Sequence, residues 1–297
     1  MRSKLILFFI FLSAFLSAGE QQLSEDNFHI TYPEPCRELA VYTLNTLRKL
    51  TPQLTTIFGP KSMSIRFILV NSRKEFELKT GSHLPYWAAA VTMFPQKIVV
   101  IKTPDLTNTT LRQYRQTISH ELVHLVQGYH VPLNMTPAWF NEGLAVYLTD
   151  QFNLQSRVGL SRAIAKNSII PLDQLSDFLQ YNHVQAELAY TESATVIEFL
   201  TQVYGISVLT ELFNTLSEKK DFDQSLYLVT DIEPGTLQFH WKKYITSRYR
   251  WIFLLDIQHI IWLIIPVLVI IVYFFKIKRN KKIFQKWNIE ENDIQAE

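Results

Sequence analysis

The nineteen residues from 257 to 275, IQHIIWLIIPVLVIIVYFF, contain no acidic or basic side chain apart from His259. A run of this length and apolarity matches the roughly 20 residues that a helix needs to cross the hydrocarbon core of a bilayer. It reads as a single transmembrane helix. Pro266 fits that reading, because spans tolerate proline where neighbours satisfy the freed backbone groups. The first residues, MRSKLILFFIFLSAFLSAGE, place Arg2 and Lys4 before an apolar run from Leu5 to Ala18 that ends in small residues. This is the layout of a secretory signal, expected to span residues 1 to 19. The fifteen residues after the apolar run carry six Lys and Arg, against four in the fifteen before it. The positive-inside rule therefore puts the basic tail, 276 to 297, in the cytoplasm. The signal independently sends everything after residue 19 across the membrane. The expectation is a single-pass membrane protein whose body, residues 20 to 250, is extracytoplasmic.

That body must fold on its own. With 47% hydrophobic and 19% charged residues the chain is not of disordered composition. Between residues 20 and 250 there are 21 Lys and Arg against 22 Asp and Glu. No basic face is implied, which argues against a nucleic-acid partner. Cys36 is the only cysteine, so no internal disulfide can form, and it reads as a buried structural thiol.

Residues 35 to 58 have helical spacing at Leu39, Tyr42, Leu47 and Leu50, with Pro52 placed to end the helix early. SIRFILV (64 to 70) and QKIVVIKT (96 to 103) are short, β-branched and bounded by turn residues, as strands are. Helices are then predicted at 107 to 128, 137 to 150, 185 to 203, 206 to 217 and 235 to 250. The fold class is α+β, a small α/β lobe followed by a helical lobe.

Where the lobes meet, ISHELVHLVQ (118 to 127) sets two histidines four residues apart. Leu111, Tyr114, Ile118, Leu122 and Leu125 form one apolar stripe on this helix, and His120 and His124 lie away from it. Four residues make 400 degrees of turn, so the imidazoles stack about 6 Å apart and can share one metal ion. Glu121 projects about a quarter turn away. There it can reach a metal-bound water without ligating the metal, the placement of a general base.

A third ligand is offered by NMTPAWFNEGLAVYLTD. Thr136 reads as the N-cap and Pro137 as the first residue of a helix that is apolar almost all round. Glu142 is the one charge in its first three turns, and a buried carboxylate is costly unless a cation compensates it. Zinc on His120 and His124 would be that cation; the alternative is a salt bridge to an arginine.

H-E-L-V-H, seventeen residues, then Glu within P-A-W-F-N-E-G-L-A-V-Y resembles the gluzincin metallopeptidases, in particular the peptidase MA-like domains, over roughly residues 60 to 245. The resemblance implies a zincin-like domain, with Zn2+ on His120, His124 and Glu142 and Glu121 as catalytic base. It also implies a strand like QKIVVI at the sheet edge, where an extended peptide substrate can lie. AYTESATVIEFL (189 to 200) matches the family's later A-Y-x-x-S helix. Tyr190 is then the candidate oxyanion donor, since gluzincins commonly supply a tyrosine or histidine from the helical lobe. No G-A-M-E-N stretch is present, so the aminopeptidase branch is not implied. The implied activity is hydrolysis of peptide bonds; the alternative is a gluzincin-like binding module that keeps zinc for structure. His130 and His183 fall outside the motif and read as surface or cap residues.

Overall fold

A computed structural model describes residues 19–294 apart from 82, 83, 86, 95, 219, 220 and 256. The expected signal therefore lies outside the described residues, except for Gly19. The chain opens with a hairpin, β1 (Glu20–Glu25) and β2 (Phe28–Pro33), closed by Asp26 and Asn27, with Asp26 at a φ of 52°. Neither strand is expected from the reading above. In β2 the signal was there, since Phe28, Ile30 and Tyr32 alternate inward. β1 is polar apart from Leu23, which packs against the core, and β2 offers it a ladder.

β3 (Ile65–Val70) and β5 (Ile98–Lys102) fall where predicted, and β4 (Ala90–Met93) precedes β5. The sheet order is β1-β2-β3-β5-β4, with β2, β3 and β5 parallel and β4 antiparallel to β5. This corrects one expectation. β5, which carries the KIVVIK sequence, is an interior strand with all five residues buried, and the outer edge is the four-residue β4. A strand that short, with every residue half-buried, has no alternation to read.

Side-chain alternation divides the core between the two sheet faces. From β3, Phe67 and Leu69 enter the main core, whereas Ile68 and Val70 turn to the other face and meet Phe76 of α2 (Arg73–Thr80). The main face is covered by α1 (Arg37–Phe58) and, after the single turn α3 (Pro104–Thr107), by α4 (Leu111–His130). Pro52 does not end α1, because Leu54 and Phe58 beyond it are buried and hold the last turns in place. Cys36, just before α1, is half-buried. The helical lobe consists of α5 (Ala138–Leu148), α6 (Leu154–Ala165), α7 (His183–Tyr204), α8 (Ser207–Ser217), α9 (Phe222–Thr230) and α10 (Leu237–Tyr249). Of these, α6 and α9 were not predicted, though Asn153 and Asp221 cap them in the ordinary way. The mixed α/β architecture stands as expected.

Helix α11 (Ile257–Ile294) carries the apolar run. Among the described residues no single helix is long and apolar enough to cross a membrane. The side chains at 257 to 261 and at 263 lie outside the description, and the part from 264 to 275, at 1.5 Å per residue, is too short to span by itself. Its large apolar residues, Ile264 to Phe275, are exposed.

One buried acid ties the helical lobe together. Glu192 of α7 is fully buried and accepts from the backbone N–H of Ile170 at 3.0 Å. Burial pushes its carboxyl up from 4.5 to about 8, against the opposing pull of the Ile170 bond and the Lys242 charge. A raised acid favours folding fully below its unfolded value of 4.5, and that contribution is lost as pH climbs through about 8. Glu192→Gln keeps an acceptor for Ile170 but cannot ionise. Chemical denaturation should show it gaining on the wild type as pH rises between those limits. An unchanged difference across the range would refute the assignment.

Candidate metal centre

Helix α4 starts at a capping box, Thr110 and Gln113, and is buried on nearly every side around its middle. Of the predicted stripe, Tyr114, Ile118, Leu122 and Leu125 are buried, but Leu111 at the first turn is 54% exposed. The core does not extend that far. His120 and His124 project one turn apart into a cleft between β4 and α7. Helix α5 begins at Ala138 with Pro137 as N-cap, one residue later than predicted, and it brings Glu142 to the same point.

Glu142 Oε2 lies 3.1 Å from His120 Nε2 and 3.6 Å from His124 Nε2, and the two imidazole Nε2 atoms are 3.1 Å apart. All three potential ligand atoms fall within 4.8 Å of one another, the one such group among the described residues. Burial pushes the Glu142 carboxyl up, but the His124 charge and hydrogen bonds from both imidazoles outweigh it and hold it well below the usual carboxylate range. Burial likewise lowers His124, and the charge of Glu142, its hydrogen bond and the charge of Glu121 reverse the direction. Nitrogen and carboxylate oxygen are the donor types that zinc accepts, so these residues fit the ion. The amide of Gln151 faces His120 Nδ1 at 3.5 Å.

Why Glu142 arrives in register is explained by a buried polar network. Gln127, one turn past His124, donates to Thr136 and to Asn141 Oδ1. The Thr136 hydroxyl donates to the same Asn141 oxygen, and Asn141 Nδ2 donates to Leu133 O at 3.0 Å. Asn141 immediately precedes Glu142, so the network fixes α5 against α4 beside the ligands. Gly143 follows. A Cβ there would meet the carbonyl oxygen of Ser193 at 2.4 Å, so only glycine lets α5 lie this close to α7.

Glu121 does not join the cluster. Its Oε2 accepts from the hydroxyl of Thr92 on β4 at 2.6 Å, which steers the carboxylate along the edge strand. Tyr190 of α7 lies across the cleft, its ring centroid 6.4 Å from that of His120 and stacked 4.7 Å from Phe178. Burial, then the charges of Glu142 and Glu121, push its phenol up, so it remains an O–H donor. The cleft encloses about 770 Å³ and is lined by Trp87, β4, Glu187 and Tyr190 among others. His183, expected as a surface or cap residue, opens α7 and lines this cleft. His130 stacks on Phe58 at 5.9 Å instead. The sequence reading missed Thr92, Gln127 and Asn141. The last two were legible as polar residues on otherwise buried helical faces, but Thr92 was not, because β4 itself was missed.

The chain matches the family model of the Peptidase MA superfamily over residues 76–247, more than half its length. It belongs to that superfamily. The match runs from α2 to α10 and contains the whole cleft. Among curated proteins it is similar to "Uncharacterized protein YhcO" of Bacillus subtilis (strain 168), 24% identical over 140 residues. That alignment covers 44% of this chain and 41% of the relative, so the chain spans less than half of the protein it matches. Superfamily membership points to a peptidase, and the cleft with its His, His and Glu donors is where that chemistry would reside.

Two glycines separate close packing from propensity. Gly143→Ala should lose about 1–3 kcal/mol in denaturant unfolding, because the backbone of α7 has to move. Gly159→Ala, on α6 with nothing within 4 Å of the added Cβ, should instead gain about 0.5–1 kcal/mol. Equal effects at both positions would contradict the close α5–α7 contact.

Proposed function

We propose that this protein is a membrane-anchored zinc peptidase of the gluzincin type. The observation that carries the reading is the convergence of His120, His124 and Glu142 beside a carboxylate, Glu121, that is held out of the cluster by Thr92. Zinc held by those three residues supplies a lowered pKa for water and Lewis-acid polarisation of a carbonyl. The chain's own residues do the rest. Glu121 takes the proton of the attacking water and returns it to the leaving amine. Thr92 keeps the Glu121 carboxylate pointed into the cleft through its 2.6 Å hydrogen bond. Tyr190, held neutral, donates its O–H to the oxyanion of the tetrahedral intermediate. The substrate is a peptide or protein segment laid in extended form along β4, whose outer edge has no partner strand among the described residues and lines the cleft. In this reading the signal expected at 1 to 19 and the span expected at 257 to 275 would carry this chemistry outside the cytoplasm and leave residues 276 to 297 inside. The near-neutral body supports a polypeptide substrate over nucleic acid.

Glu121→Gln should retain metal and melting temperature while losing roughly a hundred- to ten-thousand-fold in kcat on any peptide the wild type cuts. A binding module that keeps zinc for structure would show no peptide cleavage in the wild type and an unaltered biological effect in Glu121→Gln. Thr92→Val should lower kcat with little change in KM, and Thr92→Ser should restore it. A Glu121→Gln variant as active as the wild type would refute the general-base role.

A further inference from the structure

Helix α10 has a buried face and an open one, and the two are chemically unlike. Inward, Leu237, Trp241, Ile245 and Tyr249 recur every four residues and are buried. Trp241 Nε1 donates to Thr195 at 2.9 Å, and the Tyr249 hydroxyl donates to Glu198, which also pairs with Arg248 at 3.6 Å. Those contacts fix α10 to α7. Outward, Phe239, the pair Lys242 and Lys243, the pair Thr246 and Ser247, and Arg250 share one face of the helix and, with Trp251, line a shallow depression. This face carries three cations and no acid. Phe239 is 69% exposed and Trp251 63%, with the Arg250 guanidinium 5.1 Å from the Trp251 ring centroid. Water is a poor partner for two such aromatics, and Lys and Arg beside Trp or Phe is the composition of a surface that meets lipid headgroups.

The position of this face selects the occupant. The chain leaving α10 is pinned to the domain by Ser161, which accepts from the Phe253 N–H at 2.8 Å and donates to Arg250 O at 3.2 Å. Only six residues lie between Arg250 and Ile257, where α11 begins, so the seven Cα-to-Cα steps reach at most roughly 25 Å. If α11 enters a bilayer, the end of α10 lies within that distance of its surface. We propose that the outer face of α10 docks on anionic phospholipid headgroups, with Phe239 and Trp251 at the interface, and holds the peptidase domain against the membrane. This rests on the membrane-anchor reading given above. It also accounts for the narrow charge asymmetry across the apolar run, since Lys242, Lys243 and Arg250 serve docking rather than topology.

The test uses the full chain carrying Cys36→Ser and Thr246→Cys, labelled with an environment-sensitive fluorophore. It is reconstituted into phosphatidylcholine vesicles with or without phosphatidylglycerol, each containing a lipid-borne quencher. The expected result is roughly twofold or greater additional quenching in the phosphatidylglycerol vesicles, abolished by Lys242→Glu with Lys243→Glu. Equal quenching in the two lipids, or none in either, would overturn the docking face, and the latter would leave an acidic protein or a second copy as its partner. Alkaline carbonate extraction separates the two levels of the claim. Release of the chain overturns the anchor and the docking together, whereas retention without lipid-dependent quenching overturns the docking alone.

Discussion

The structure around the cleft depends on one unfavourable act, the placement of the Glu142 carboxylate in a helix whose neighbours are almost all apolar. Glu142 is half-buried there; loss of water raises its carboxyl, and the charges and hydrogen bonds of His124 and His120 reverse the direction. The helices therefore have to bring three polar side chains to one point and keep them there. Gln127, Thr136 and Asn141 do this on one side of α5, and the missing side chain of Gly143 does it on the other. A buried network of this kind specifies a single register, since a slip leaves several polar groups unpaired at once.

The same logic extends to the sheet. β4 contributes only four residues, yet it provides both the open edge along the cleft and, through Thr92, the orientation of Glu121. A Cβ at Gly128 would meet the ring of the exposed Phe94, just after β4, at 2.2 Å, so that ring lies over α4 here. The edge strand and the histidine helix thus act as one unit.

Most of the site was legible in the sequence, for physical reasons that can be named. A four-residue spacing can only stack two imidazoles if the segment is a helix, and a lone acid in an apolar helix needs a cation, so His120, His124 and Glu142 could be grouped before any coordinates. The sheet was less legible. β2 alternates cleanly and should have been found, whereas β1 is polar apart from Leu23 and β4 is too short for any period to emerge. Pro52 misled because the rule for helix ends is local, while the burial of Leu54 and Phe58 that carries α1 onward is tertiary. Leu111 misled in the opposite sense, since a helical stripe says nothing about where the core stops. Thr92 could not be found at all, as its role exists only once β4 lies beside α4.

The central claim is that Glu142 completes a three-residue metal centre with His120 and His124. The most direct measurement is metal content and affinity of the full chain, wild type against Glu142→Ala, by mass spectrometry and competitive chelation. The account predicts near-stoichiometric zinc in the wild type. In the variant, affinity should fall by more than the roughly 10–100-fold that loss of an outer-shell partner costs. Undiminished zinc affinity in Glu142→Ala, or a wild type that binds no zinc, would contradict it.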